Sequence, residues 1–189
     1  MLTTTASTLP AADAGSRDGF DILDVCHRHT LMALGKLSAL IARLDKYGAD
    51  DEARALAEEI GRYFSTTSRE HHEDEERHVF PKILAGRDTA LKQTVLRLQQ
   101  DHFWLEEDWR EMAPLLDAVA CGQSWVDLDT LRESAAVFSA LSHDHIALEE
   151  ACIYPEARAR LHAGEGAEMG REMAARRRMG VAGHRERTA

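Results

Sequence analysis

The chain has 189 residues, 30% of them charged and 44% hydrophobic, with a formal net charge of −10. That length predicts one ordinary domain with a single core, and that charge argues against a nucleic-acid partner. No apolar run is long enough to span a membrane, and three cysteines without paired spacing (Cys26, Cys121, Cys152) predict a reduced, cytoplasmic protein.

Residues 1–19 are rich in Thr, Ala and Ser, lack the basic start and apolar centre of a secretory signal, and are expected to form a disordered leader. The first predicted helix runs from about Phe20 to Tyr47 and stops at Gly48, a natural C-cap. The second starts near Asp50 and runs towards Phe80, where Pro81 should kink or end it. The third spans about Asp88 to Cys121, with Gly122 beyond it and Pro114 expected to bend it. The fourth runs from about Asp127 to Arg160 and is disturbed by Pro155. Short links favour antiparallel neighbours, so residues 20–162 are expected to form an all-α, up-down-up-down antiparallel four-helix bundle. Residues 163–189, with several glycines and the cluster Arg176–Arg178, are expected to be a flexible tail.

One spaced pattern occurs twice: HHEDEERHVFP at 71–81 and HIALEEACIYP at 145–155. Each copy reads His-x-x-x-Glu-Glu, three residues, an aromatic and a proline. A lone histidine precedes each copy at a similar distance, His27 before His71 and His102 before His145. The helical period tests which of these residues face inward. His27 shares a stripe with Leu23, Leu34, Leu37 and Ile41, whereas His29 aligns with Lys36. His71 and Glu75 share one with Leu56, Ile60 and Phe64, whereas His72 and Glu76 align with Ser65 and Ser68. His102 and Glu106 lie with Leu91, Val95, Leu98 and Trp109, and His145 and Glu149 lie with Leu131, Phe138, Leu141 and Cys152.

A single buried histidine is usually just a hydrogen-bonded core residue, and a His/Glu pair four apart is often a surface pair. Four helices that each bury such groups, with no Lys or Arg on the same stripes near the site, need another source of positive charge. Metal ions supply it. Imidazole with carboxylate and no thiolate points away from structural zinc and towards iron or manganese. Four histidines and two bridging carboxylates leave positions on two six-coordinate ions for an oxo or hydroxo bridge and an exogenous ligand. An open site in a dry core suits O2, NO or peroxide.

The set His27, His71 with Glu75, His102, and His145 with Glu149 resembles the hemerythrin/HHE cation-binding family over roughly residues 20–160. The Phe-Pro and Tyr-Pro endings match that family's helix-ending signature. The resemblance implies a four-helix bundle enclosing a non-haem di-iron centre, with Glu75 and Glu149 as bridges. Oxygen-carrying hemerythrins resemble His-x-x-x-His on the third helix and end with Asp on the fourth. Here Glu106 and Glu149 stand at those places. Added carboxylate favours ferric iron and moves the expectation from reversible O2 carriage towards sensing, peroxide removal or iron handling. The expected function is therefore a di-iron protein that binds or turns over a small oxidant in stress response, with Glu106 as auxiliary ligand or proton relay. The competing expectation is an iron-binding sensor or interaction module without turnover. Histidine phosphotransfer would need one exposed histidine, not four inward ones.

Overall fold

A computed structural model describes residues 18–123 and 125–185, with side chains described as far as Arg178. All regular structure among the described residues is helical. The chain divides into two compact units, Leu23–Leu161 on the one hand, and residues up to Ile22 with those from His162 onward on the other.

The helices begin and end where short-range chemistry dictates. Helix α1 (Gly19–Tyr47) stops at Gly48, whose φ of 70° is a left-handed turn that only glycine adopts without strain. Asp50 then caps α2 (Asp51–Tyr63) by accepting the Ala53 N–H at 2.9 Å. Asp88 does the same for α5 (Thr89–Ala120), which continues through Pro114, and Asp127 for α6 (Leu128–Leu148). Each aspartate satisfies amides that the first helical turn leaves unpaired.

The second and fourth predicted helices are both subdivided. After α2 come a π-helical stretch Phe64–Ser68, α3 (Arg69–His78) and α4 (Phe80–Leu84). After α6 come a second π-helical stretch Glu149–Ile153 and α7 (Tyr154–Ala159). Pro81 and Pro155 sit in the first turns of α4 and α7, where the missing N–H costs nothing. The residues two before them, Val79 and Ile153, carry almost identical kinked backbones (φ −94°, ψ −58° and φ −93°, ψ −50°). The sequence repeat is thus also a backbone repeat.

Within Leu23–Leu161, α2 packs on α5 and α5 on α6. One buried apolar cluster takes Leu34, Leu37 and Leu40 from α1, Ile60 from α2, Met112 and Leu116 from α5, and Leu131 and Phe138 from α6. The site residues lie further along α1, α5 and α6 and on α3 and the second π-helical stretch, and beyond them Phe80, Ile83, Val95, Leu98 and Ile153 are again buried. Apolar packing therefore flanks the polar layer along the chain on both sides.

The leader expected over residues 1–19 lies outside the described residues except for Asp18 and Gly19, which begins α1. The expectation of a flexible tail from residue 163 is corrected over most of its length: Glu165–Arg185 forms α8. Its glycines suggested a coil, but local pairs offset them. Glu165 accepts the His162 N–H at 2.8 Å, Glu172 pairs with Arg176 at 2.7 Å one turn on, and Met169 and Met173 are buried at i, i+4 spacing. Residues 186–189 lie outside the described residues.

Candidate metal centre

The two π-helical stretches decide which side chains meet. A π turn inserts one residue into the α-helical register, so everything after it is rotated relative to a 3.6-residue projection. The first lies just ahead of His71. The second starts at Glu149 and ends just before Tyr154, whose N–H bonds to the Glu149 carbonyl. That wide turn brings Tyr154 round towards the Glu149 face, from which an unbroken α-helix would turn it well away.

The structure brings His27 (α1), His71 and Glu75 (α3), His102 (α5), His145 (α6) and Glu149 into one buried cluster. Two four-residue groups within it each offer donor atoms lying within 4.8 Å of one another: His27, His71, Glu75 and Glu149, and His102, His145, Glu75 and Glu149. Both carboxylates belong to both groups. His27 Nε2 is 3.2 Å from Glu149 Oε2, His145 Nε2 is 3.1 Å from Glu149 Oε1, and His102 Nε2 is 3.4 Å from Glu75 Oε2. Neighbouring ligands of an ion with bonds of about 2.1 Å lie about 3 Å apart, so these spacings suit shared cations.

A second observation supports the same fit. Glu75 Oε2, both oxygens of Glu149 and Nδ1 of His71 and His145 are buried without a hydrogen-bond partner. Such atoms are costly to bury, and the orphaned carboxylate oxygens are those a cation would satisfy. Imidazoles and carboxylates without thiolate suit iron or manganese better than structural zinc.

The second glutamate of each repeat has a separate task. Glu150 Oε1 lies 3.0 Å from Nδ1 of His27, and Glu76 Oε1 lies 3.0 Å from Nδ1 of His102. Each repeat thus buttresses the lone histidine of the other half and leaves that ring's Nε2 facing the shared carboxylates. The aromatics cross over as well: Tyr154 stacks on His27 with ring centroids 5.1 Å apart, and Phe80 on His102 at 5.4 Å. Such outer carboxylates fix ring orientation and raise ligand basicity. Replacing Glu76 or Glu150 by alanine should weaken metal affinity by roughly 10–100-fold while leaving the number of ions per chain unchanged. Titration with a chelator of known affinity measures this.

The halves differ in one hydroxyl. Tyr154 donates to Glu75 Oε1 at 2.5 Å and lies 3.2 Å from His27 Nε2, while Phe80 offers no such group. Asp101 is a further buried carboxylate, 3.7 Å from His145 Nδ1.

Electrostatics follow from burial against charge. Burial and the neighbouring Glu149 push the Glu75 carboxyl up to about 7. Burial also opposes charge on Glu149, but His145, His102 and His27 outweigh it and hold that carboxyl well below its ordinary value. Burial works against a charged His145, yet Glu149 and Asp101 lift it to about 9, and His102 is raised by Glu149, Glu75 and Glu76 in the same way. His71 goes the other way: burial, then the neighbouring His27, lowers it well below its ordinary value. Without cations the cluster thus holds protons where a metal would otherwise provide positive charge.

A cavity of about 40 Å³ adjoins the cluster, bordered by His71, His72 and His145 and by Phe64, Leu105, Phe138 and Ile146. The hydroxyls of Thr30 and Ser142 reach it but donate to the backbone carbonyls of Cys26 and Phe138. Its wall is therefore largely apolar. Arg69, Glu106 and Trp109 also border it, with Arg69 Nε 3.3 Å from Glu106 Oε1.

Glu106 departs from the expectation of an inward ligand. Its side chain is 52% exposed and faces Arg69. The inward stripe of α5 runs Val95, Leu98, His102, Leu105, the partly buried Trp109, Met112, Leu116 and Val119, alternating steps of three and four. Leu105 takes the inward place and Glu106 falls one step outside it.

Helical projection does not single out four residues that border the cluster: Glu76, Glu150, Tyr154 and His72. Glu76 aligns with Ser65 and Ser68 on that projection but supports His102, and Glu150, at the same place in the second repeat, supports His27. Tyr154 was read only as a helix-ending signal, although its recurrence as an aromatic at 80 and 154 was available as a hint. His72 was set aside as solvent-facing; it is half-buried and stacks on His102 with centroids 4.1 Å apart.

Helices that bury imidazoles and paired carboxylates around shared donor positions define a cation-binding helical domain. The chain belongs to the hemerythrin HHE cation binding domain family, which matches residues 18–157. An uncharacterised protein of Haemophilus influenzae is 28% identical over 170 residues, spanning 90% of this chain and 96% of that protein.

Proposed function

We propose that this protein is a non-haem di-iron protein that binds or turns over a small oxidant, O2, NO or peroxide, in stress response or sensing in the cytoplasm. The observation that carries this reading is the pair of four-donor groups sharing Glu75 and Glu149 beside a cavity of about 40 Å³. In this reading Glu75 and Glu149 would be ligands to both of two ions, His27 and His71 would hold one, and His102 and His145 would hold the other. When bound, the ions supply open coordination positions and electrons for a small oxidant.

The chain's own residues do the remainder. Glu76 and Glu150 hold two imidazoles in orientation, and Tyr154 keeps a hydroxyl proton on Glu75 Oε1. Phe64, Leu105, Phe138 and Ile146 keep water scarce beside His71 and His145. Since a single water needs only about 10–15 Å³, the cavity admits a guest of two or three atoms. Its apolar wall favours O2 or NO over peroxide. Short connections at residues 48–50, 85–88 and 121–127 support an up-down-up-down antiparallel arrangement of the long helical runs. Three cysteines, Cys26, Cys121 and Cys152, an odd number without Cys-x-x-Cys spacing, support a reducing compartment. No helix among the described residues is long and apolar enough to cross a membrane, and a net charge of −10 disfavours nucleic acid.

The visible spectrum of aerobically purified protein tests the proposal. Charge-transfer absorption that shifts on adding azide, NO or peroxide is expected. A colourless sample with no response to any of them contradicts it. Ligand-dependent shifts without consumption of NO or peroxide would assign the sensor role instead of turnover.

A further inference from the structure

His72 stands beside the buried centre, yet the di-iron reading leaves it without a task. It borders the inner cavity of about 40 Å³ and also an outer groove of about 280 Å³. Arg69 and Glu106 are the other residues common to both. The groove brings Glu73, Glu76 and Glu106 together against the single guanidinium of Arg69, so its charge is negative and attracts cations. At its inner end stands His102.

His72, His102 and His145 form a third group whose donor atoms lie within 4.8 Å of one another. His102 and His145 also belong to one of the buried groups that contain Glu75 and Glu149. The three-histidine position and the deeper one thus draw on the same two imidazoles, so an ion can pass between them while staying beside both. The ring of His72 rests flat on His102, at 4.1 Å and 14°, and its side chain is less enclosed than those of His102 and His145. One of its nitrogens lies within 4.8 Å of donor nitrogens of both His102 and His145.

We propose that His72, with His102 and His145, forms a loading station that holds an incoming divalent cation between the acidic groove and the buried centre. This inference rests on the two-cation reading of that centre. A cation drawn into the groove binds three imidazoles first, displacing to solvent the protons that His102 and His145 hold in the metal-free fold. It then exchanges His72 for the carboxylates of Glu75 and Glu149, which add negative charge and complete its coordination. No electron changes hands. Because the deeper position holds both carboxylates, the transfer runs inward, and His72 returns to its stack on His102.

The test is the rate of metal uptake by the metal-free full chain, with Co(II) as probe and its visible absorption as readout. His72→Ala and His72→Gln should both take up cobalt roughly tenfold more slowly than the unmodified protein. Both should still reach two ions per chain with an unchanged final spectrum. The glutamine variant keeps most of the side-chain volume, so it decides the matter if the alanine variant fails to fold, as read by circular dichroism. Uptake at the unmodified rate overturns the proposal. So does loss of one ion at equilibrium, which would make His72 a resident ligand. If the unmodified chain takes up no cobalt, the two-cation reading itself falls and takes this inference with it; slow loading confined to the variants separates the two cases.

Discussion

Replacing Glu149 by alanine should remove both cations from the protein, whereas replacing His27 by alanine should remove one. Glu149 belongs to both donor groups, with one oxygen 3.2 Å from His27 Nε2 and the other 3.1 Å from His145 Nε2. His27 belongs to one group alone. Loss of an outer carboxylate costs metal affinity roughly 10–100-fold, and loss of a shared inner ligand should exceed the upper end of that range. Metal content per folded chain, measured by elemental analysis beside circular dichroism, distinguishes the two variants. Equal losses in both would contradict a shared bridge. Glu149→Ala also leaves His145 without its nearest carboxylate and His27 Nε2 without the carboxylate 3.2 Å from it, so the metal-free variant should not be more stable than the unmodified metal-free protein.

Chelation should lower Tm markedly, and the gap between the loaded and stripped forms should widen as pH rises. An ion present at a thousandfold its Kd stabilises the folded state by about 4 kcal/mol. In a chain of this length that moves Tm by roughly 8–16 °C per ion. The pH trend follows from the protons that cations must displace. His145 is held up to about 9 and Glu75 up to about 7 in the metal-free fold, so both bind protons that compete with metal near neutrality. Affinity therefore climbs with pH through those values, by about tenfold per pH unit for each proton released.

The metal-free fold moves in the opposite direction. Both groups lie above their ordinary values of 6.5 and 4.5, so their contributions to stability are complete below those values. They are lost as pH rises through about 9 for His145 and about 7 for Glu75. Thermal melts at pH 6 and pH 8, with and without chelator, measure the widening. A gap that stays constant or narrows would contradict it.

Much of this protein was legible in one dimension because helices enforce a strict period. The capped starts at Asp50, Asp88 and Asp127 and the stop at Gly48 are local, decided by side chains within three residues of the backbone they satisfy. Inward orientation of His27, His71, His102 and His145 followed from apolar neighbours three and four residues away. The projection failed where the period itself changes. The steps of three and four along α5 put Leu105 inward and Glu106 on the rim, a difference of one position that a loose stripe does not resolve. The π-helical stretches shift register by a residue, and nothing in FSTTS or EEACI announces them. Composition misled in the tail, where glycines outweighed the Glu172–Arg176 pair and the two methionines of α8.

The sequence by itself determined that the chain is helical, that its two halves repeat, and that each half carries a His/Glu pair and a lone histidine aimed at the interior. These are local and periodic properties, fixed by neighbours along one helix. Only the tertiary structure decided how the halves interlock: Glu150 of one supports His27 of the other, Glu76 supports His102, and Tyr154 reaches Glu75 across the cluster. Those partners are 26 to 123 residues apart in the chain, and helical periodicity carries no information about which face of one helix meets which face of another.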